Sequence, residues 1–189
     1  MIKRSMVIAD KISELIGTQK QISILDYGCA TGLIGFELSD KYQKLILMDS
    51  EKEMLDVVKE KMEAFQVNNI IPILKDLTKE NYNEEKFDVI YTSMALHHIV
   101  DTENMIQKFY DLLKENGILC VVELDKEDGS FRANEENFEG HNGFEHQVMQ
   151  DLLKNVGFSE IKSETFFCGE KKAKEKVIPY SLFYTIGRK

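Results

Sequence analysis

Apolar residues recur at Ile2, Met6, Ala9, Ile12 and Leu15/Ile16, which is the spacing of one helical face, and Gly17 supplies a stop. Residues 1–18 therefore read as a short leading helix. After it, brief apolar runs alternate with helical spacing. Ile22–Asp26 reads as a strand followed by a helix from about Thr31. Lys44–Asp49 reads as a strand followed by a helix with Met54, Val57, Val58, Met62 and Phe65 on one face. Ile70–Leu74 and Phe87–Thr92 are further strands. Met105, Ile106, Phe109, Leu112 and Leu113 mark a helix that ends at Gly117, and Ile118–Leu124 is the next strand. The stretch 126–143 is long, acidic and polar, and reads as a lid-like loop. A helix over Phe144–Val156, closed by Gly157, leads to two last strands near Glu160–Phe167 and Tyr180–Ile186, with Lys171–Lys176 a charged turn between them.

Short, fully apolar strands alternating with helices predict an α/β fold, a mainly parallel sheet covered by helices on both faces. No repeat or shift of composition divides the chain, so residues 1–189 are expected to form one domain. The 189 residues are 43% hydrophobic and 30% charged, an ordinary globular composition. A net charge of −9 would repel a phosphate backbone, which argues against nucleic acid as a partner. The first ten residues carry no sustained apolar run, and no run elsewhere is long enough to span a bilayer, so a cytoplasmic protein without membrane attachment is expected. Cys29, Cys120 and Cys168 are odd in number and lack CxxC spacing, which predicts reduced thiols used in packing. Nothing in the sequence reports the oligomeric state.

The chemistry starts at Leu25-Asp26-Tyr27-Gly28-Cys29-Ala30-Thr31-Gly32, where an apolar strand runs into a glycine-punctuated turn and then a helix. Glycine allows backbone conformations and close approaches that side chains forbid, so such a turn can cradle a small molecule. A dinucleotide fingerprint needs G-x-G-x-x-G, and from Gly28 the second and third positions are Ala30 and Leu33. A P-loop needs G-K-[ST], and Gly32 precedes Leu33. Both phosphate motifs fail on residue identity. What remains is D-x-G-x-A-x-G, opened by an acid at a strand end.

With Asp49 at the end of the second strand, Ser50-x-x-x-Met54-Leu55 after it and Lys75-Asp76-Leu77 closing the third, the chain resembles the class I S-adenosylmethionine-dependent methyltransferases, close to the small stand-alone enzymes that act on small molecules. Ala30 departs from the family's motif, where a second glycine is usual. The resemblance implies a doubly wound, Rossmann-like sheet of seven strands with an antiparallel last strand. It further implies S-adenosylmethionine as cofactor, held by Asp26, Gly28, Cys29, Ala30, Gly32, Asp49, Ser50, Met54, Asp76, Leu77 and Ser93. In that assignment Asp26 and the turn carbonyls hold the methionine ammonium, N–H groups at the helix start face its carboxylate, Asp49 the ribose hydroxyls, Met54 the adenine ring and Asp76 the adenine amino group.

The fourth strand leads into Met94-Ala95-Leu96-His97-His98, a segment that in this family passes beside the transferred methyl group. His97 and His98 are thus candidate bases. Adjacent histidines point in different directions, so joint metal chelation is not expected; one should face the site and the other the packing. The bland alternative is a hydrogen-bonded loop pair. His141 is a third catalytic candidate, whereas His146 is expected to be exposed on a helix. The predicted function is methyl transfer to an O, N or S atom of a small molecule, without a metal. The rivals are a noncatalytic cofactor-binding subunit, a nucleotide-dependent oxidoreductase, which Ala30 and Leu33 disfavour, and a metalloid methyltransferase using the three cysteines.

Overall fold

A computed structural model describes residues 2–17, 19–132, 138–173 and 176–189. Five strands follow the apolar runs: β1 (Ser23–Tyr27), β2 (Lys44–Asp49), β3 (Ile70–Leu74), β4 (Phe87–Ser93) and β5 (Leu113–Leu124). They are parallel, and with β6 (Ser159–Ala173) and β7 (Lys176–Arg188) they form one sheet ordered β3-β2-β1-β4-β5-β7-β6. β7 alone runs against its neighbours. The doubly wound, seven-stranded expectation with an antiparallel last strand holds.

Strands buried on both faces explain the unbroken apolar runs, because alternate residues serve opposite cores. Ile24, Leu45, Leu47, Cys120 and Val122 join one core, with residues of α1 (Ile2–Ile16), α2 (Leu33–Ser39) and α3 (Lys52–Phe65). Leu25, Ile46, Met48, Leu119 and Val121 join the other, under α4 (Thr102–Leu112) and α5 (His146–Val156). The order of strands reverses between β1 and β4, the switch point at which open α/β sheets bind ligands beyond their carboxyl ends. No described helix is long and apolar enough to cross a membrane.

Four boundaries differ from the sequence reading. α2 begins at Leu33 because Gly28, Ala30 and Gly32 all hold positive φ, at 73°, 46° and 75°, and delay helical geometry. The buried face of α3 is Leu55 and Val58, with Met62 packed beside them; Met54, one residue off that stripe, and Phe65, in the last turn, are exposed. α4 stops at Leu112, where Leu113 pairs with Phe87 and opens β5, so Gly117 lies in a strand. β6 and β7 extend as a hairpin arm, and before Leu182 β7 pairs only with β6. Backbone pairing, not burial, sustains Lys171 and Lys172 as strand residues there; residues 174–175 of the expected charged turn lie outside the described residues. In the polar 126–143 stretch, residues 133–137 lie outside them too; before these, a 3-10 turn at Ser130–Arg132 buries Phe131 and Arg132. At the opposite edge β3 carries Pro72 between exposed Ile71 and Leu74.

Candidate functional site

An acid lies at or within two residues of the carboxyl end of each of β1, β2 and β3. Asp26, one residue before the end of β1, lies beside Tyr91 of β4 on the α1 face, and the Tyr91 hydroxyl donates to Asp26 Oδ2 at 2.7 Å. Burial pushes the Asp26 carboxyl up to about 7; the Tyr91 bond opposes this and nearby Asp49 adds to it. Asp26 is thus a buried acid with spare lone pairs and, among the described residues, no cation paired with it. That is a receptor for a cationic group.

Asp49 acts first as a latch. Its Oδ2 accepts from the Ala30 N–H at 2.7 Å and its Oδ1 from the Glu51 N–H at 2.9 Å, while the N–H groups of Gly28 and Cys29 both donate to the Met48 carbonyl. The turn is therefore bolted to the end of β2. Each carboxylate oxygen keeps a second acceptor site, enough for a diol.

The turn's glycines are required by packing. A Cβ at Gly28 would stand 2.5 Å from the Ala95 Cβ, and one at Gly32 2.9 to 3.2 Å from Leu47, Val58 and Phe36. Ala30 instead carries a methyl group in the left-handed region, which costs an L-residue about 1–2 kcal/mol. Ala30→Gly is expected to raise stability by about 0.5–1 kcal/mol, part of the gain being lost to the freer unfolded chain. A urea melt with an unchanged or lower midpoint would count against strain at this position.

Asp26, Gly28, Cys29, Ala30 and Ser93 line a cleft of about 240 Å³, with Met94 and residues of α1 and α2 as its other walls. Gly32, Asp49, Ser50, Met54, Asp76 and Leu77 lie outside this lining. Ser50 and Met54 are exposed just past β2. The Asp76 carboxylate is engaged by the Thr78 N–H and hydroxyl and by Lys79 Nζ at 2.8 Å. Burial pushes that carboxyl up, but these bonds outweigh it and hold it below the ordinary range. Leu77 is buried in the core under α4, and its carbonyl takes a bond from Lys108 Nζ. Its side chain does not reach the cleft. A cavity of about 480 Å³ lies elsewhere, between Tyr82, Lys86 and the end of α4, and Lys108 on its wall already serves backbone carbonyls.

His97 corrects the expectation of a base. It is buried with Glu123 of β5: its Nδ1 stands 2.7 Å from Glu123 Oε2, and its Nε2 meets Arg132 Nη2. A proton on Nδ1 satisfies both contacts and leaves no lone pair for substrate. Of the expected division within the pair only the packing half is seen: His97 faces the packing, while His98 is exposed, lies outside the lining of the cleft and meets the edge of the Phe138 ring. His141 Nε2 bonds the Ile99 carbonyl at 3.0 Å and Thr102 Oγ1 at 3.2 Å, pinning the turn after His98. His146 is half-buried and not exposed as expected: it stacks on Phe183 and bonds Asp125 at 2.7 Å.

The cysteines do not gather. Cys29 and Cys120 are buried and Cys168 is exposed. Burial, with Asp26 and Asp49 adding to it, pushes the Cys29 thiol well up, and burial pushes Cys120 to about 12. Thiols so far from ionising are poor ligands for a soft ion. Among the described residues no three His, Cys, Asp or Glu side chains are grouped to hold a metal.

Sequence reasoning missed Tyr91, Glu123 and Arg132. Glu123 had a signal, a charge inside an apolar strand; Tyr91 and Arg132 had none, because their partners are 65 and 35 residues away.

The methyltransferase domain family matches residues 18–175 of this chain. An uncharacterised methyltransferase of Schizosaccharomyces pombe is 33% identical over 156 residues, covering 75% of this chain and 55% of its own. A malonyl-[acyl-carrier protein] O-methyltransferase of Ilyobacter polytropus is 32% identical over 114 residues, covering 58% and 41%. The chain thus spans about half the length of these relatives. In structure it resembles a phosphoethanolamine N-methyltransferase of Haemonchus contortus, solved with S-adenosylmethionine, at a TM-score of 0.79 and 14% identity over 96% of this chain and 52% of that one. The buried acid at the switch point, the latched glycine turn and the match over residues 18–175 agree: the chain belongs to the class I S-adenosylmethionine-dependent methyltransferases, enzymes whose methyl donor is S-adenosylmethionine.

Proposed function

We propose that this chain transfers the methyl group of S-adenosylmethionine to an O, N or S atom of a small molecule by in-line displacement. The observation that carries the reading is Asp26, a buried carboxyl with no cationic partner among the described residues, in a cleft at the β1/β4 switch point. The cofactor supplies an activated methyl carbon. Asp26 binds its ammonium, Asp49 offers acceptors to a ribose diol, and Ser93 and Met94 line the cleft at the end of β4. Positioning then supplies much of the rate, and a base is needed only when the nucleophile carries a proton. His98 is the candidate for that proton, being exposed where His97 is locked. A small acceptor, and neither nucleic acid nor a membrane surface, suits the net charge of −9.

Calorimetry tests the reading. The unaltered protein is expected to bind S-adenosylmethionine and its demethylated product at micromolar to low-millimolar levels, and absence of binding would overturn it. Asp49→Ala is expected to weaken cofactor binding by about 1–3 kcal/mol through lost hydrogen bonds. Unchanged affinity would remove Asp49 from the site. A methyl-donor consumption assay over a metabolite panel then identifies the acceptor.

A further inference from the structure

The amino-acid end of the cofactor carries a carboxylate as well as an ammonium. Among the described residues the cleft is lined by one acid, Asp26, and one cation, Arg4 of α1. Arg4 stands in the first turn of its helix, where the macrodipole disfavours positive charge, and that turn holds no acid to offset it. The side chain is partly buried, and among the described residues Arg4 makes no hydrogen bond or ion pair. Asp26 is not its counter-ion, since a guanidinium partner would pull that carboxyl below its ordinary value of 3.8 and the carboxyl is instead raised. A half-desolvated, unpaired guanidinium is an anion receptor, and its planar fork matches a carboxylate. α2 is a weak substitute: it starts only at Leu33, runs seven residues and has no side-chain cap at Gly32.

We propose that Arg4 binds the α-carboxylate of S-adenosylmethionine, so that Arg4 and Asp26 together receive the zwitterionic end of the cofactor. The proposal rests on the cofactor reading above and adds a residue to it. Arg4 precedes residues 18–175, so this part of the site comes from a helix outside the matched family domain. The cofactor is favoured over an anionic methyl acceptor because Arg4 shares its cleft with Asp26, Gly28 and Ala30, while His98 and His141 lie outside it.

The test compares S-adenosylmethionine with its decarboxylated analogue, which keeps the sulfonium, nucleoside and ammonium, by calorimetry. The unaltered protein is expected to bind the analogue about ten- to a hundredfold more weakly, the weight of a charge-assisted bond. Arg4→Gln is expected to weaken S-adenosylmethionine by a similar factor and leave the analogue within about twofold, while Arg4→Lys restores most of the loss. Equal affinity of the unaltered protein for the two compounds overturns the proposal without any variant. So does an Arg4→Gln protein that binds S-adenosylmethionine normally, as expected if Arg4 serves the acceptor, or one that loses both compounds equally. Binding of neither compound by the unaltered protein overturns the proposed function itself.

Discussion

Replacing Asp26 by asparagine is expected to stabilise the ligand-free protein above pH 7 and to weaken its hold on the cofactor. Burial raises the Asp26 carboxyl from 3.8 to about 7. An acid raised in this way favours folding while protonated, and that advantage is lost as pH climbs from about 4 to about 7, because the unfolded chain ionises first. At 1.36 kcal/mol per pH unit the penalty levels off near 4 kcal/mol above pH 7, an upper limit for what Asp26→Asn can recover. Urea melts at pH 4.5 and pH 8 check it: the variant should gain mainly at pH 8, and an equal gain at both would contradict a buried, titrating Asp26. Cofactor affinity should move the other way. The ionised carboxylate binds an ammonium and protonation abolishes the attraction, so affinity in the unaltered protein should fall below about pH 7. Asp26→Asn should bind about tenfold or more weakly at pH 8 and lose that pH dependence.

Glu123→Leu is expected to destabilise the protein by about 3–5 kcal/mol, on the order of 10 °C in midpoint. Glu123 has no exposed surface and its carboxylate receives His97 Nδ1, the His97 N–H at 3.3 Å and the Leu124 N–H at 3.2 Å. Removing it leaves the buried N–H donors of His97 and Leu124 without their acceptor and loosens the His97 ring that Arg132 bonds, Arg132 being packed 4.3 Å over the Phe138 ring. Thermal and denaturant melts measure the loss. A single-variant loss below about 1 kcal/mol would show that the trio is not structural glue.

What could be read from the sequence was whatever repeats along the chain. The parallel strands are runs of apolar residues, and three of them run out within two residues of an acid, so the ends of β1, β2 and β3 were visible together with Asp26, Asp49 and Asp76. Three kinds of information were not. The face of α3 turns on a single residue: 3.6-residue spacing fits the Met54 stripe as well as the Leu55 stripe, and only the neighbouring sheet chooses between them. The role of His97 depends on Glu123 and Arg132, which are 26 and 35 residues away and come together only when the post-β5 segment folds back. The hairpin arm has only a thin burial signal, Ile178 with Phe167 and Tyr180 beside it, and the rest of its strands are held by each other's backbones. Asp76 is a related case, an acid two residues past the end of β3 whose Oδ1 accepts from Thr78 and whose Oδ2 meets Lys79, local partners that no spacing announces.

Pro72 has a further consequence, for self-association. In β3 the Asn69 carbonyl and the Lys75 N–H bond to β2, so odd-numbered residues turn their peptide groups inward and even-numbered ones outward. Pro72 therefore occupies an outward position at which a foreign strand would seek an N–H, between the exposed apolar side chains of Ile71 and Leu74. An edge that is apolar and straight invites a second chain to continue the ladder, and a proline at its centre removes the donor that the ladder requires.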